Sequence, residues 1–333
     1  MIMIRELRKA KIAGVGSFAP EKVLTNNQLE AMVDTSDEWI TTRTGIKERR
    51  IAEDDIATSD LAYEAAKNAL ADAGLEAEDL DLILVATATP DYLAFPSTAC
   101  VLQDKLGVKG IPAFDMVAAC SGFVYGLSVA TQYIETGTYD NVLVIGAETL
   151  SKIVNWEDRG TCVLFGDGAG AAVLTPTKSG GILSNVIGAD GEQNEVLIVR
   201  GGGSKRPFSQ QIIDEGLHYL EMEGNPVFKF AVRILGKAAV QALKKAGLTR
   251  DDIDFLIPHQ ANIRIIDAAA KRLKLDRDQI YVNLDQYGNT SAASIPLALD
   301  AAVKEGKIKS GDIVVLVGFG AGLTWGATVI EWV

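Results

Sequence analysis

Residues 65–81 read AAKNALADAGLEAEDLD, and residues 238–254 read AAVQALKKAGLTRDDID. The two stretches share Ala, Leu, Gly and Asp at the same offsets, and an apolar run follows each copy. The apolar residues recur at the spacing of a helix face, and the glycine that follows is typical of a helix end. A repeated helix-turn-strand unit predicts a chain built from two similar α/β halves.

A second matched pair supports this duplication. Residues 134–146 and 302–318 both combine a helix end, a glycine, a polar turn and an apolar strand, which reads VLVIG in one and VVLVG in the other. At nearly the same offset, Cys120 falls opposite Asn289. We therefore expect two halves, residues 1–175 and 176–333, to bring two special loops together at a pseudo-twofold axis. Residues 179–214 are rich in glycine and polar side chains and are expected to form loops or a surface hairpin.

The remaining pattern is that of an α/β chain, in which buried strands alternate with helices. Unbroken apolar runs, typical of strands buried on both faces, predict strands at 82–87, 142–146, 255–258 and 313–318. Helical periodicity predicts helices at 59–73, 122–136, 228–246, 263–273 and 295–305.

Composition excludes several classes of protein. The net charge of −12 argues against a general nucleic-acid binder, which needs a basic surface. No apolar run approaches the roughly 20 residues that cross a bilayer, and the N-terminus lacks the apolar core of a signal peptide. We therefore expect a cytoplasmic protein without membrane partners. The three cysteines are widely spaced, so neither a disulfide framework nor a metal site is predicted.

Cys120 is the candidate nucleophile. It lies in AACSGF, residues 118–123, between an apolar run and a helical pattern. A thiol at a helix N-terminus is expected to have a lowered pKa, because the helix dipole and the free N–H groups favour the thiolate. Taken alone, the residue is better explained as a small buried structural cysteine, and its place between a strand and a helix does not by itself reverse that interpretation. Cys100 and Cys162 lack this setting and are predicted to be structural.

Two further polar residues lie where a strand or a loop meets a helix. His259 follows a predicted strand, and the carboxyl ends of strands are where α/β sheets bind ligands. Asn289, in the sequence GNTS, could donate its amide N–H groups to a developing oxyanion. A loop histidine held by a carbonyl and a helix-capping asparagine are the alternative interpretations. The glycine-rich residues 318–322 could turn backbone N–H groups toward a ligand.

Two glycine motifs are not interpreted as phosphate sites. Residues 14–19 fit G-x-G-x-x-A, but Pro20 follows and no helix opens there. Residues 165–170, FGDGAG, lack the Lys-Ser/Thr of a P-loop.

Together these features resemble β-ketoacyl-acyl-carrier-protein synthase III, a family of thiolase-like condensing enzymes, over nearly the whole chain. The stretches that carry the resemblance are SDEWI (36–40), TRTGI (42–46), ACSGF (119–123), DRGT (158–161), FGDGAG (165–170), HQAN (259–262), GNTS (288–291) and GFGAGLTWG (318–326). The resemblance implies a thiolase-like fold, in which two duplicated α/β halves form a layered αβαβα sandwich.

The resemblance also implies catalytic roles. Cys120 would be the acylated nucleophile, and His259 and Asn289 would complete a Cys-His-Asn triad. The N–H groups of Cys120 and Ala321 would form the oxyanion hole. The family often has glycine at the position of Ala321; a backbone donor survives that change, while the pocket wall gains a methyl group.

Binding roles follow in the same way. Trp39 and Arg159 match positions that sandwich the adenine of coenzyme A, Arg43 matches a phosphate contact, and Asn262 lies by the pantetheine tunnel. Phe95 matches a residue that reaches into the acyl pocket of a partner subunit, which implies a homodimer.

A cluster of cations, Arg264, Lys271 and Arg272, would dock acyl carrier protein; a solvated helix face is the other interpretation. The implied reaction joins an acyl-CoA starter to malonyl-acyl carrier protein at the start of fatty acid biosynthesis, without a metal or redox cofactor.

The histidine count separates the related enzymes. Elongating ketoacyl synthases use two active-site histidines, whereas His218, the other histidine of this chain, matches neither motif. Thiolases need a second catalytic cysteine, and none follows Cys162. Three alternatives stay open: a related condensing enzyme for a secondary metabolite, a catalytically silent module that binds acyl-CoA or carrier protein, and a cysteine hydrolase.

Overall fold

A computed structural model describes residues 8–333. Within this range the strands are β1 Lys9–Phe18, β2 Val23–Thr25, β3 Glu48–Arg50, β4 Leu82–Ala86, β5 Ala113–Met116, β6 Val142–Thr149, β7 Asp167–Thr177, β8 Gly181–Ala189, β9 Leu197–Val199, β10 Leu220–Met222, β11 Phe255–Pro258, β12 Ile313–Gly320 and β13 Thr324–Glu331. The helices are α1 Asn26–Glu30, α2 Asp37–Thr44, α3 Thr58–Ala73, α4 Thr98–Lys105, α5 Gly122–Glu135, α6 Arg159–Cys162, α7 Gln210–Asp214, α8 Gly224–Lys245, α9 Ile263–Leu273, α10 Leu284–Tyr287 and α11 Ser294–Lys304.

Two mixed sheets form the centre of the molecule. The first has the strand order β1-β7-β6-β4-β5, and the second has the order β11-β12-β13-β8. All strands of the first sheet precede all strands of the second in the chain. The predicted strands and helices are all present, with ends shifted by a few residues. None of the helices in the described range has the length and the apolar character needed to cross a membrane.

The sheets and helices stack in five layers. Helices α5 and α11 lie between the sheets and contact strands of both, while α3 and α4 cover the outer face of the first sheet and α8 and α9 cover that of the second. Side chains of β4 alternate accordingly, because successive residues of a strand point to opposite faces. Leu82 and Leu84 pack in the central layer, and Ile83 and Val85 pack under α3 and α4. The predicted layered α/β fold is confirmed.

The N-terminal glycines serve packing. Gly14 and Gly16 lie in β1, where a Cβ atom on Gly16 would come within 2.2 Å of the backbone nitrogen of Ala69 in α3. Glycine thus lets a helix backbone approach the strand closely.

The segment 179–214 is more regular than predicted. It contains β8, which pairs along most of its length with β13, and β9, which pairs with β10.

Two short 3₁₀ turns, Ala119–Ser121 and Ser291–Ala293, precede α5 and α11 and contact each other. Each begins with a non-glycine residue in the left-handed region, Ala119 at φ 45° and Ser291 at φ 47°. The equivalent turns correct the predicted correspondence: the counterpart of Cys120 is Ala292, and Asn289 lies three residues earlier in its copy. The sequence pattern does not show where each 3₁₀ turn begins, so it places Asn289 rather than Ala292 opposite Cys120.

Candidate active site

Cys120 lines a cavity of about 310 Å³. The thiol-bearing residue is only 6% exposed. Most of the cavity wall is apolar, and it includes Leu150, Ile153, Phe165, Leu197, Ile198, Val199 and Leu220. Three of these residues belong to β9 and one to β10, so the segment expected to form loops supplies part of the wall. Such a cavity can hold an acyl chain and exclude water from the sulfur.

Burial dominates the ionisation of the candidate nucleophile. It raises the pKa of the Cys120 thiol to about 12, although a hydrogen bond from the Ser291 side chain opposes the shift and Glu148 adds to it. The sequence predicted a lowered pKa from the helix N-terminus, and this prediction was wrong because desolvation of the thiolate outweighs the helix dipole. The raised pKa favours the protonated thiol at neutral pH.

His259 follows β11 and is 1% exposed. Its Nδ1 atom lies 2.6 Å from Oγ of Ser294, the first residue of α11, and its ring meets that of Phe319 edge-on at 5.4 Å. Burial lowers the pKa of His259 to about 3, so the ring is neutral at physiological pH. A neutral imidazole with such a low pKa is a poor acceptor for the proton of a thiol with a pKa of about 12.

Asn289 is fixed through its backbone and through its side-chain oxygen. Its N–H donates to the Leu164 carbonyl at 2.8 Å, and its own carbonyl accepts from Gly166 at 3.1 Å. The Oδ1 atom accepts from the backbone N–H of Ser291 at 2.9 Å. Among the residues that the structure describes, no acceptor meets the Nδ2 group, which is therefore available to donate to a ligand.

Shared neighbours bring these three residues into one region. Gly320 in β12 lies against the nucleophile turn, since a Cβ atom there would be 2.6 Å from the backbone nitrogen of Cys120. The preceding residue, Phe319, contacts the His259 ring. Phe165 forms a bridge to Asn289 and also lines the cavity above Cys120. His259 and Asn289 are not among the residues that line this cavity.

Ala321, the second candidate oxyanion donor, lines the cavity with Cys120. A hydroxyl contact joins its loop to the nucleophile turn: Oγ1 of Thr324 lies 2.6 Å from Oγ of Ser121 and 3.0 Å from the carbonyl oxygens of Ala118 and Ala321. This contact links Ser121, in the turn before α5, to Thr324, the first residue of β13 in the second sheet.

Trp39 stacks with two cations on the surface. The guanidinium carbons of Arg43 and Arg159 lie 4.9 and 5.0 Å from the centre of its ring. Arg159 also donates to the backbone carbonyl of Asp34 at 2.7 Å. A base that stacked between Trp39 and Arg159 would have to displace the guanidinium from the ring.

Asn262 caps α9 and ties it to α2. Its Oδ1 atom accepts from the N–H of Arg264 at 2.9 Å, and its Nδ2 group donates to the carbonyl of Arg43 at 3.0 Å. Arg264, Lys271 and Arg272 are all exposed on α9. The Arg264 guanidinium lies 5.2 Å from the Phe228 ring centre.

Phe95 is 85% exposed and lies beside two other exposed apolar residues, Tyr92 and Leu93. It is far more exposed than a typical phenylalanine, and clusters of such residues mark surfaces that another molecule covers.

Sequence reasoning missed three residues around the sulfur. Ser294 hydrogen-bonds His259, Ser291 lines the cavity with Cys120, and Glu148 is a carboxyl group with 0% exposure that accepts from the Thr89 hydroxyl at 2.6 Å. The serines lie in a stretch typical of a helix start, and Glu148 ends an apolar strand, so only their spatial neighbours distinguish them. In the described part of the chain, no cluster of three or more His, Cys, Asp or Glu side chains could hold a metal ion.

The chain matches two models of one protein family. Residues 114–191 match 3-oxoacyl-[acyl-carrier-protein (ACP)] synthase III, and residues 243–332 match its C-terminal part. The chain is 61% identical over 324 residues to beta-ketoacyl-[acyl-carrier-protein] synthase III of Caldanaerobacter subterraneus subsp. tengcongensis, covering 97% of this chain and 98% of that protein. It is 59% identical to the same-named protein of Clostridioides difficile, with 97% and 98% covered.

Solved structures agree. The crystal structure of 3-oxoacyl-[acyl-carrier-protein] synthase III from Aquifex aeolicus VF5 superposes with a TM-score of 0.90 at 49% identity, over 97% of this chain and 100% of that one. The Thermus thermophilus protein superposes with a TM-score of 0.90 at 48% identity, over 97% and 99%. The predicted thiolase-like fold and the sequence resemblance are thus confirmed, and the chain belongs to the 3-oxoacyl-[acyl-carrier-protein] synthase III family.

Proposed function

We propose that this chain is an acyltransferase that condenses an acyl-CoA starter with malonyl-acyl carrier protein, with loss of carbon dioxide, and so initiates fatty acid biosynthesis. The observation that carries the proposal is a buried cysteine in the wall of an apolar cavity, with a neutral histidine and a free asparagine amide grouped around the same turns. A carbon–carbon bond between two thioesters needs these three groups and a dry site.

In the first stage the Cys120 sulfur attacks the acyl-CoA carbonyl. The S–H bond breaks, a C–S bond forms, and coenzyme A departs as its thiol, which takes up the proton that the sulfur loses. The N–H groups of Cys120 and Ala321 receive the negative charge of the tetrahedral intermediate. A donor of this kind contributes about 3 to 4 kcal/mol of transition-state stabilisation. The apolar cavity receives the acyl chain.

In the second stage malonyl-acyl carrier protein enters, and cleavage of its carboxylate leaves an enolate on the thioester. His259 and Asn289 would donate hydrogen bonds to the enolate oxygen, which is a task for a neutral ring N–H and a free amide. The carbon nucleophile then attacks the acyl group on Cys120. The product is a β-ketoacyl thioester, and the sulfur is released.

The surface features support the finer parts of the proposal. Trp39, Arg43 and Arg159 would bind the nucleotide of coenzyme A, and Asn262 would border the pantetheine. The cations Arg264, Lys271 and Arg272 would dock the acidic carrier protein. Burial of exposed Phe95 in a second copy would form the homodimer. We propose that the enzyme works in the cytoplasm and needs no metal or redox cofactor.

We also propose the division into halves, residues 1–175 and 176–333. Sheet membership supports a division close to this point, because β7, the last strand of the first sheet in the chain, ends at Thr177 and β8 of the second sheet begins at Gly181. The first half would carry the nucleophile, and the second would carry His259 and Asn289.

Intact-mass measurement after mixing with acyl-CoA tests the function. We expect the wild type to gain one acyl group and to transfer it to malonyl-acyl carrier protein. Cys120→Ala should gain none, whereas Cys100→Ala and Cys162→Ala should acylate normally. Acylation of the Cys120→Ala variant would contradict the assigned nucleophile. A wild type that binds acyl-CoA without acylation would indicate a silent module, and acyl transfer to water alone would indicate a hydrolase.

A further inference from the structure

Arg49 is the largest fully buried side chain among the residues that the structure describes. It lies in β3 with 0% exposure, and none of the ion pairs within residues 8–333 involves it. Burial lowers the pKa of its guanidinium to about 10, so the group is still charged at neutral pH. A buried cation without a carboxylate partner is costly, and perturbed groups of this kind concentrate at functional sites.

The stem of Arg49 packs against the loop that carries Asn289. Gly288 precedes Asn289 in the chain, and the N–H of Gly166 donates to the Asn289 carbonyl at 3.1 Å. A Cβ atom on Gly166 would lie 3.0 Å from Cβ of Arg49, and one on Gly288 would lie 3.2 Å from it. Arg49 therefore lies against the residue before Asn289 and against the residue to which its carbonyl is bonded.

The guanidinium of Arg49 holds the segment on the other side of this loop. Its Nη2 group donates to the Val163 carbonyl at 2.7 Å. The next residue, Leu164, accepts from the backbone N–H of Asn289 at 2.8 Å. Stem and guanidinium thus contact the backbone partners that fix Asn289 in place.

The other half of the guanidinium is anchored in the N-terminal segment. Its Nη1 group donates to the Leu24 carbonyl at 3.1 Å and to Oδ1 of Asn26 at 2.9 Å. Asn26 is 1% exposed, and its Nδ2 group donates to Oδ1 of Asp37 in α2 and to the Ile46 carbonyl, both at 2.8 Å. The planar fork of an arginine can join two such segments, whereas the point charge of a lysine cannot.

We propose that Arg49 is a positioning residue that holds Asn289 where its Nδ2 group can donate to the enolate oxygen. Arg49 is not among the residues that line the cavity, and it acts through the backbone of Gly288 and through residues 163–164. The inference rests on the role of Asn289 in the proposed function. A misplacement of about 1 Å can cost about a hundredfold in rate, so loss of Arg49 should slow the step that uses Asn289 and spare the step that does not.

Hydrogen–deuterium exchange of the whole protein tests the positioning itself. In Arg49→Lys we expect the backbone N–H of Asn289 to exchange about tenfold faster than in the wild type, because the segment that accepts from it is no longer held. Peptides from β4, in the core of the first sheet, are the internal reference and should change much less. An equal rise in both regions would indicate general destabilisation instead of a loosened Asn289 loop.

The kinetics of the two half-reactions test whether this position matters for the chemistry. In Arg49→Lys, kcat for decarboxylation of malonyl-acyl carrier protein should fall about tenfold to a hundredfold, while acylation of Cys120 at saturating acyl-CoA stays within about twofold. A double-mutant cycle with Asn289→Ala decides the path of the effect. If Arg49 acts through Asn289, Arg49→Lys should change the residual decarboxylation of Asn289→Ala by less than about twofold. Gly16→Ala, destabilised where β1 meets α3, should keep both half-reactions within about twofold.

A second substitution answers the question even if Arg49→Lys does not fold. Asn26→Ala removes one acceptor and leaves the bonds of Arg49 to the Leu24 and Val163 carbonyls. We expect a smaller loss of decarboxylation, about threefold to tenfold, which again disappears in the Asn289→Ala background. Because Asn26 also contacts α2, its acylation is measured with an acyl-N-acetylcysteamine thioester, which lacks the nucleotide.

Three results would overturn the inference: unchanged exchange at Asn289 in Arg49→Lys, equal losses in the two half-reactions, or a loss that adds in full to that of Asn289→Ala. Exchange needs no substrate, so its outcome is separate from the proposed function. Faster exchange at Asn289 in Arg49→Lys, together with a wild type that does not decarboxylate malonyl thioester, would reject the function and keep Arg49 as the residue that positions this loop.

Discussion

The Ser294 hydroxyl lies 2.6 Å from Nδ1 of His259 and defines the hydrogen-bonding state of the ring. The backbone N–H of Gln260 donates to the same hydroxyl oxygen at 3.4 Å. An oxygen that already accepts an N–H is well placed to donate its own proton to Nδ1. The ring then carries its proton on Nε2, which is the tautomer that can donate a hydrogen bond to an enolate.

Loss of this hydroxyl should impair one half-reaction. In Ser294→Ala the imidazole can adopt either tautomer, so we expect decarboxylation of malonyl thioester to fall by about tenfold to a hundredfold. Acylation of Cys120, which does not use the ring N–H, should stay within about twofold of wild type by intact-mass kinetics. An equal loss in both half-reactions would contradict the assignment of Ser294 to His259.

Decarboxylation should be insensitive to mild acid. Burial lowers the pKa of His259 to about 3, so protonation does not remove the neutral ring until the solution is far more acidic than the usual value implies. The neutral fraction of an unperturbed histidine would fall about thirtyfold between pH 7.5 and pH 5. We expect the rate of malonyl decarboxylation to change by about twofold at most over the same range.

The stability of the folded protein, unlike the decarboxylation rate, should depend on pH in this range, and it has to be controlled in the measurement. The unfolded chain binds a proton at His259 near pH 6.5, while the folded protein does not, so stability from this residue is lost as the pH falls below that value. Rates should therefore be measured well below the melting temperature at each pH. A decline of the rate with an apparent pKa near 6.5 would show that His259 titrates normally.

Trp39 should affect the binding of the nucleotide and leave the chemistry intact. Trp39→Ala removes the ring on which Arg43 and Arg159 stack, and we expect KM for acyl-CoA to rise about tenfold with little change in kcat. An acyl-N-acetylcysteamine thioester, which lacks the nucleotide, provides the matched control. An equal loss with that substrate would place the effect in the active site.

Gly16 should be intolerant of a single methyl group. A Cβ atom there would lie 2.2 Å from the backbone nitrogen of Ala69, and neither β1 nor α3 can move freely. We expect Gly16→Ala to lower the free energy of unfolding by about 3 kcal/mol in urea titrations. Gly191→Ala, where no atom lies within 4 Å, is the control and should change it by less than about 0.5 kcal/mol. Similar values for both would contradict the close-packing argument.

The main elements of the fold could be predicted from the sequence because they are strongly apolar and periodic. The predicted ends of these helices and strands were less accurate. Helix α8 begins at Gly224, before Pro226, because proline is tolerated in the first turn of a helix. Strand β6 continues past Gly146 to Thr149, since β7 pairs with it along its whole length. Strand β8 was missed because its glycines and polar residues are typical of loops.

Some residues of the candidate site could be predicted from the sequence and others could not. Cys120, His259 and Asn289 lie in recognisable local patterns, whereas Ser291, Ser294 and Glu148 gain their significance only from partners far away in the chain. The ionisation of Cys120 was predicted in the wrong direction because a sequence indicates a helix N-terminus but not the depth at which the sulfur is buried.

The contact between the turns that begin with Ala119 and Ser291 constrains how the two copies can diverge. After a duplication, one copy is commonly free to drift while the other keeps its task. Here the turn of the copy without the thiol packs against the turn that carries Cys120, and its Ser291 lines the same cavity. A change in the second turn therefore alters the surroundings of Cys120 from some 170 positions away in the chain.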